Sequence, residues 1–95
     1  MVIKTTIKKM FNSDKPLKAF ADVEIDGSIV IHSVAVMETE KGRHISMPYT
    51  KWKNKDGEEK QHDVVHPITS YARRQIEESV LAAYDSHIKE LLKES

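Results

Sequence analysis

The 95-residue sequence contains no cysteine and only three glycines. Without cysteine, the chain has no disulfide, no cysteine-ligated zinc or iron–sulfur site and no thiol nucleophile. The glycines stand apart at Gly27, Gly42 and Gly57, so neither a glycine-rich phosphate loop nor a Gly-x-Ser-x-Gly nucleophile elbow is present. No stretch is apolar enough for a signal-peptide core or a membrane span. Because a small secreted domain often needs disulfides and this chain can form none, we expect a soluble, cytoplasmic protein.

The composition is that of one ordinary globular domain. Apolar residues make up 39% and charged residues 32% of the chain, and 15 basic side chains balance 15 acidic ones. We expect residues 1–95 to form a single domain whose core is thin, because a chain this short buries a small fraction of its surface. A net charge of zero argues against coating nucleic acid by bulk electrostatics, but it leaves room for a local basic patch.

The first part of the sequence is patterned as antiparallel strands. Apolar and polar residues alternate, and clusters of turn residues, including one at 12–16, separate the alternating runs. The predicted strands are Val2–Met10, Leu17–Ile25, Ser28–Met37 and Arg43–Met47. The pair Asp26-Gly27 predicts a two-residue type I′ hairpin, which requires positive φ at both positions.

The third predicted strand is apolar on both faces. A strict period of two places Ile29 and Ile31 on one face and Val30, Val34 and Val36 on the other. A strand of this kind needs cover on both sides. Because one helix covers only one face, and its last turns are expected to extend past the sheet, we expect a homodimer that buries either the second face or this overhang.

A helix is predicted from Ser70 to about Leu92, with Thr69 or Ser70 as its N-cap. The apolar positions that recur with a period of 3.6 are Ala72, Ile76, Val80, Ala83, Tyr84, Ile88 and Leu91. Such a helix is about 34 Å long, whereas a typical strand spans about 20 Å, so its last turns should overhang the sheet. The predicted fold is α+β: an antiparallel sheet of four to five strands followed by one long C-terminal helix.

Two groups of polar residues resemble catalytic or metal sites, and neither is interpreted as one. His62 and His66 precede Pro67 in a predicted extended stretch, 61–68, where residues four apart lie about 13 Å from each other and cannot share one metal. Asp22, Glu24 and Asp26 alternate along one strand face, which indicates a solvated, charge-balanced surface rather than a sheltered acid–base pair. We expect no metal, no cofactor, no small-molecule substrate and no enzymatic activity.

The segment 49–60 is either an extended hairpin, turning at Asp56-Gly57, or a mobile loop. In an extended conformation Lys51, Lys53 and Lys55 project from one side, where they can contact phosphates, and Trp52 lies on the other side, where a base can stack on it. The alternative is a solvated lysine-rich hairpin in which Trp52 packs onto the sheet.

Arg73 and Arg74 lie in the first helical turn, where the helix dipole disfavours cations. Together with the free N–H groups of the helix N-terminus, they can form a phosphate site. The alternative is ion pairing with Glu77 and Glu78, one helical turn further on.

Several motifs occur in the order found in the stage V sporulation protein G (SpoVG) family. They are Ile25–His32, Ile45–Pro48, Asp56–Glu58, Val65–Ser70 and the helical pattern Arg73-x-x-Ile76-x-x-x-Val80-x-x-Ala83-Tyr84. The sequence resembles this family over most of its length. The resemblance implies a dimeric, site-selective DNA- and RNA-binding regulator linked to septation and sporulation. It also implies that Lys51 and Lys53 correspond most nearly to the family's basic pair and Arg73 to its helix-start arginine.

We therefore expect a homodimeric, cytoplasmic nucleic-acid-binding regulator that does not associate with membranes. The candidate contact residues are Lys51, Trp52, Lys53, Lys55, Arg73 and Arg74. The competing hypothesis is a protein-interaction module that recruits a cell-division or regulatory partner through an exposed strand edge or the helix overhang, without nucleic acid.

Overall fold

The computed structural model of the protein describes residues 1–11 and 14–94. The predicted turn at 12–16 thus falls partly outside the described residues. Six strands and one helix follow in chain order: β1 Ile3–Met10, β2 Leu17–Ile25, β3 Ile29–Thr39, β4 Gly42–Ser46, β5 Tyr49–Lys53, β6 Glu59–Asp63 and α1 Ser70–Glu94.

The first four strands form one antiparallel sheet in the order β1-β2-β3-β4, and α1 packs across one of its faces. Within the described ranges, strands β5 and β6 pair only with each other, in a separate two-stranded sheet. The predicted α+β architecture is confirmed. The predicted extended stretch 61–68 adds no fifth strand to the main sheet, since its first residues complete β6.

The turn between β2 and β3 has the predicted geometry. Asp26 and Gly27 have φ values of 52° and 65°, as a type I′ turn requires. The same turn holds the start of the chain, because the Asp26 carboxylate accepts a hydrogen bond of 2.7 Å from the backbone N–H of Val2. The charge balance on the sheet face opposite α1 is also confirmed for Lys4, which lies directly across from Glu24.

A β-bulge in β3 overturns one prediction. Ser33 has φ 62°, and the pairing of β3 with β2 shifts between Ile31↔Val23 and Val34↔Ala21. One extra residue on β3 reverses the alternation, because side chains in a strand change face with every residue.

As a consequence, Ile31, Val34 and Val36 all belong to the buried core, whereas Ile29 and Val30 are 62% and 46% exposed. The prediction that Val34 and Val36 lie on the face opposite Ile31 is therefore wrong. The apolar residues on the second face of β3 are instead Val30, Ala35 and Met37. The expectation of a second apolar face stays, but it depends on Ala35 and Met37 rather than on Val34 and Val36.

The core lies between the sheet and one stripe of α1. Its helical members are Ile76, Val80 and Tyr84, all at predicted apolar positions. The buried strand residues beneath them are Ala19, Ala21, Val23, Ile31, Val34 and Val36. Val80 is completely buried, and burial of a side chain of this kind stabilises the fold by about 1.5–3 kcal/mol.

The ends of α1 follow from local chemistry. Thr69 is the N-cap, since its hydroxyl oxygen accepts a 3.0 Å hydrogen bond from the backbone N–H of Ala72. At 25 residues, α1 is about 37 Å long, and Leu91 and Leu92 near its C-terminus are exposed. Over residues 1–11 and 14–94, no helix combines the length and the apolar character that crossing a bilayer requires.

Arg43 joins the edge strand β4 to the helix. Its guanidinium donates a hydrogen bond to the Asp85 carboxylate, lies over the Tyr84 ring at 5.3 Å and is 3.8 Å from a Glu38 oxygen. The hydrogen bond with Asp85 raises the pKa of Arg43, and burial raises the pKa of Tyr84. At neutral pH Arg43 is therefore a permanent cation and Tyr84 a neutral phenol, and their contacts hold β4 against α1.

Substitutions at Ser33 test the bulge. We expect Ser33→Val to lower the free energy of unfolding by about 1–2 kcal/mol, because a β-branched residue is strained at positive φ. Ser33→Gly should leave it unchanged or raise it by up to about 1 kcal/mol. Denaturant titration measures both, with His44→Val on the exposed, regular strand β4 as the control. Equal tolerance of valine at both positions would contradict the bulge.

Candidate nucleic-acid interface

Residues 49–63 form a β-hairpin, which we call the arm. Strands β5 and β6 pair from Tyr49↔Asp63 at the base to Lys53↔Glu59 near the tip. The Asn54 side chain organises the tip by accepting hydrogen bonds from the backbone N–H groups of Asp56 (3.0 Å) and Glu58 (2.9 Å). Of the two interpretations of this segment, the extended hairpin is confirmed.

The arm stands apart from the main sheet. Every residue of β5 and β6 is exposed, and Trp52 retains 52% of its accessible surface. The alternative in which Trp52 packs onto the sheet is therefore excluded. An isolated two-stranded hairpin is only marginally stable in water. Because the side chains of this one are exposed, they are available to a ligand or a partner.

The two faces of the arm carry different chemistry. Lys51 and Lys53 lie on the same face, as residues two apart must in a strand. Their cross-strand neighbours on that face are Gln61 and Glu59. Trp52 pairs with Lys60 and lies on the reverse face. This separation of lysines from tryptophan was predicted.

Lys55 differs from the prediction, because it lies in the turn beyond β5, at the tip of the arm.

The charges of the arm cancel overall. Four lysines (Lys51, Lys53, Lys55 and Lys60) are matched by four carboxylates (Asp56, Glu58, Glu59 and Asp63). Lys51 is 3.7 Å from Glu59, and Lys60 is 3.2 Å from Glu58. Exposed pairs of this kind contribute about 0–1 kcal/mol, so a phosphate can replace the carboxylate at little cost. Among the described residues Lys53 and Lys55 have no ion-pair partner.

The two arginines at the start of α1 separate. Arg73 lines a cleft together with Gln61 and Asp63 of the arm. Because those two residues share a face with Lys51 and Lys53, Arg73 and the lysine face lie on the same side of the arm. Arg74 is exposed about 100° further around the helix and does not line this cleft.

The alternative of helical ion pairs is not realised. Within residues 1–11 and 14–94, neither Arg73 nor Arg74 is within 4.0 Å of a carboxylate oxygen. No three histidine, aspartate or glutamate side chains in that part of the chain cluster closely enough to hold a metal ion.

The cleft contains residues that sequence reasoning missed. Besides Arg73, its polar lining consists of Ser46, Gln61, Asp63, His66 and Glu77, from β4, β6, the following segment and α1. The alternation of Gln61 and Asp63 on β6 was a visible signal that they share a face. Their approach to α1 was not visible, since it depends on where the arm leaves the sheet.

A second uncovered surface lies on the sheet face opposite α1. It is an apolar groove of about 440 Å³. Its lining residues are Leu17, Phe20, Ser33, Ala35, Met37, Ser46, Met47, Pro48 and Tyr49. Phe11 packs edge-on against Phe20 with 5.4 Å between the ring centroids, which extends the apolar surface.

Comparison with known proteins places this arrangement among relatives. The SpoVG family model matches residues 1–86, which include all six strands and most of α1. A Finegoldia magna protein named "Putative septation protein SpoVG" is 40% identical over 81 residues, covering 85% of this chain and 71% of that protein. A Listeria monocytogenes protein named "Putative septation protein SpoVG 1" is 40% identical over 73 residues, covering 77% and 68%. A similarly named Clostridium beijerinckii protein is 36% identical over 84 residues, covering 88% and 87%.

The tip of the arm can be loosened without disturbing the core. We expect Asn54→Ala to remove two backbone hydrogen bonds, each worth about 1 kcal/mol, and to speed amide exchange in β5 and β6 at least about fivefold. Exchange in β2 and β3 and the melting temperature should stay unchanged. Asn54→Asp, which keeps the acceptor oxygens, is the matched control. Equal acceleration in the arm and in the main sheet would show that the two unfold as one unit.

Proposed function

The chain belongs to the SpoVG family, and from this premise we propose that it is a homodimeric regulator that binds DNA or RNA in the cytoplasm and acts by binding rather than catalysis. The observation that carries the proposal is the free-standing arm, which exposes Lys51 and Lys53 on one face and Trp52 on the other. The relatives' names support a role in septation.

Phosphates would be bound by cations that have weak partners or none. Lys53 and Lys55 have no ion-pair partner among the residues described, and the pair between Lys51 and Glu59 is exposed. Each phosphate neutralised by such a lysine releases a counterion, and this release makes the affinity dependent on salt. Because the whole chain has no net charge, attraction would be local to the arm.

Trp52 would contribute by stacking. Its indole faces away from Lys51 and Lys53, so a base reaches it only where a strand bends round the edge of the arm. Stacking of a base on an aromatic side chain is worth about 1–3 kcal/mol and tolerates any base. Arg74, on another side of the helix start, would contact more distant phosphates.

The homodimer is supported by the apolar groove. Because the bulge at Ser33 turns Val34 and Val36 toward α1, the apolar surface on the opposite face of the sheet consists of Phe20, Met37 and their neighbours. A small domain gains stability by burying such a surface against a second copy. Twofold symmetry would also present two arms to one nucleic acid and raise the effective affinity.

The double substitution Lys51→Ala/Lys53→Ala tests the phosphate contacts. We expect weaker binding to every sequence, and a slope of log affinity against log salt that falls in magnitude by about 1.4–1.8, since each lost contact accounts for about 0.7–0.9. Fluorescence anisotropy at several salt concentrations, with labelled single strands and duplexes, measures the slope. Quenching of Trp52, the only tryptophan, reports stacking in the same titration.

The matched control is Lys4→Ala/Lys8→Ala, which removes the same charge from β1 in the main sheet. The control should leave the slope as it is in the unaltered protein. Equal slopes for the arm variant and the unaltered protein would refute the assignment of Lys51 and Lys53.

Substitutions in the groove test the dimer. We expect the unaltered protein to sediment as a dimer at micromolar concentration and Met37→Glu to sediment as a monomer, because a charge would be buried without a partner. Leu91→Glu, on the exposed end of α1, is the control and should remain dimeric. A monomeric unaltered protein would overturn the homodimer.

Two observations favour a second candidate, a protein-interaction module for a division or regulatory partner. The charges of the arm are balanced, and the sheet carries an uncovered apolar groove. In such a module the lysines only keep the arm soluble. Absence of binding to single strands and duplexes even at low salt would favour the module over the nucleic-acid regulator.

A further inference from the structure

The cleft between the arm and α1 is a polar site of limited size. Its volume is about 260 Å³, slightly below the range of about 300–1,000 Å³ that suits drug-sized ligands. Ile45, Met47 and Pro67 supply apolar surface beside the polar lining. These dimensions suit a single planar ring system rather than a folded partner.

Unpartnered polar groups converge on this cleft. In the part of the chain that the structure describes, the side chains of Gln61, Asp63, His66, Arg73 and Glu77 form no hydrogen bond or ion pair with the protein. They come from the arm, the segment after it and α1. All of these residues except Glu77 are exposed, so a ligand can bond to them in place of water.

The charge of the cleft disfavours a phosphate as that ligand. Two carboxylates, Asp63 and Glu77, outnumber the one guanidinium, Arg73, so a phosphate would be repelled. A nucleobase is uncharged and offers both donors and acceptors along its edges. The lysine face of the arm, on the same side, has the opposite preference and suits the backbone to which such a base is attached.

Resting on the proposed nucleic-acid binding, we propose that this cleft holds one unpaired guanine of a single strand whose phosphates lie along Lys51 and Lys53. The Asp63 carboxylate accepts from the guanine N1–H and N2–H groups. The Arg73 guanidinium donates to O6 and N7, the pairing that arginine makes with guanine elsewhere.

The donor pattern singles out guanine among the four bases. Its Watson–Crick edge carries two adjacent donors, whereas adenine, cytosine and uracil each place an acceptor next to a donor there. A carboxylate such as Asp63 accepts two hydrogen bonds from guanine and meets a lone pair on each of the others. In a duplex the same donors are engaged by cytosine, so the cleft requires an unpaired base.

The experiment is an anisotropy titration with four single-stranded RNA oligonucleotides that differ only in one central base, placed in an otherwise guanine-free sequence. The unaltered protein should bind the guanine strand about tenfold more tightly than the other three, in line with about 1–3 kcal/mol for a bidentate contact. Annealing the complementary strand should abolish the preference. Asp63→Asn should bring the four affinities within about twofold of one another.

Glu59→Gln is the matched control, because it removes the same charge from the same face of the arm but does not line the cleft. It should tighten binding to all four strands equally and keep the guanine preference. Arg73→Lys, which keeps the charge and loses the bidentate geometry, should weaken the preference and leaves the test intact if Asp63→Asn fails to fold.

Two results would overturn the inference, and they are distinguishable. The guanine site is refuted, and the proposed nucleic-acid binding stands, if the unaltered protein binds all four strands equally. The same conclusion follows if Asp63→Asn, like Glu59→Gln, changes the affinities for all four strands by the same factor. If the unaltered protein binds none of the strands at low salt, the proposed function is refuted and the guanine site falls with it.

Discussion

The extra residue at Ser33 determines how the two faces of the sheet are used. Before the bulge, β3 directs Ile31 toward α1, and after it the reversed alternation directs Val34 and Val36 the same way. Without the bulge, Val34 and Val36 would face away from the helix, and Val80 would lose two of the side chains that form the core beneath it. The bulge also places Ala35 and Met37 on the opposite face. One strained backbone position therefore produces both the core and the apolar groove.

The arm follows a different physical logic from the body of the protein. The main sheet is stabilised by burial against α1, whereas the arm is stabilised by its own backbone ladder and by Asn54 at its tip. Its ion pairs are exposed and weak. A segment of this kind keeps its side chains available, because among the described residues none of its lysines is buried or bonded to the main sheet or to α1. That availability makes a binding role for the arm physically reasonable in a chain with no net charge.

Opposite electrostatic preferences lie side by side on this surface. The lysine face of the arm favours phosphates, and the acceptor-rich cleft beneath it disfavours them. A nucleic acid strand has the same division, with charge on its backbone and neutral hydrogen-bonding groups on its bases. Arg73 lies where the two surfaces meet, and it is better explained by its cleft than by the helix N-terminus alone. Its position in the first turn of α1 is unfavourable for the helix dipole, which is consistent with a role outside the helix.

The sequence by itself determined the features that depend on near neighbours in the chain. The turn at Asp26-Gly27, the helix stripe of Ile76, Val80 and Tyr84, and the separation of Lys51 from Trp52 all follow from backbone geometry over a few residues. Only the tertiary structure decided the bulge at Ser33, the free-standing position of the arm and the cleft that joins Asp63 to Arg73. Each of these depends on pairing between segments far apart in the chain, where a shift of one residue moves a side chain to the opposite face.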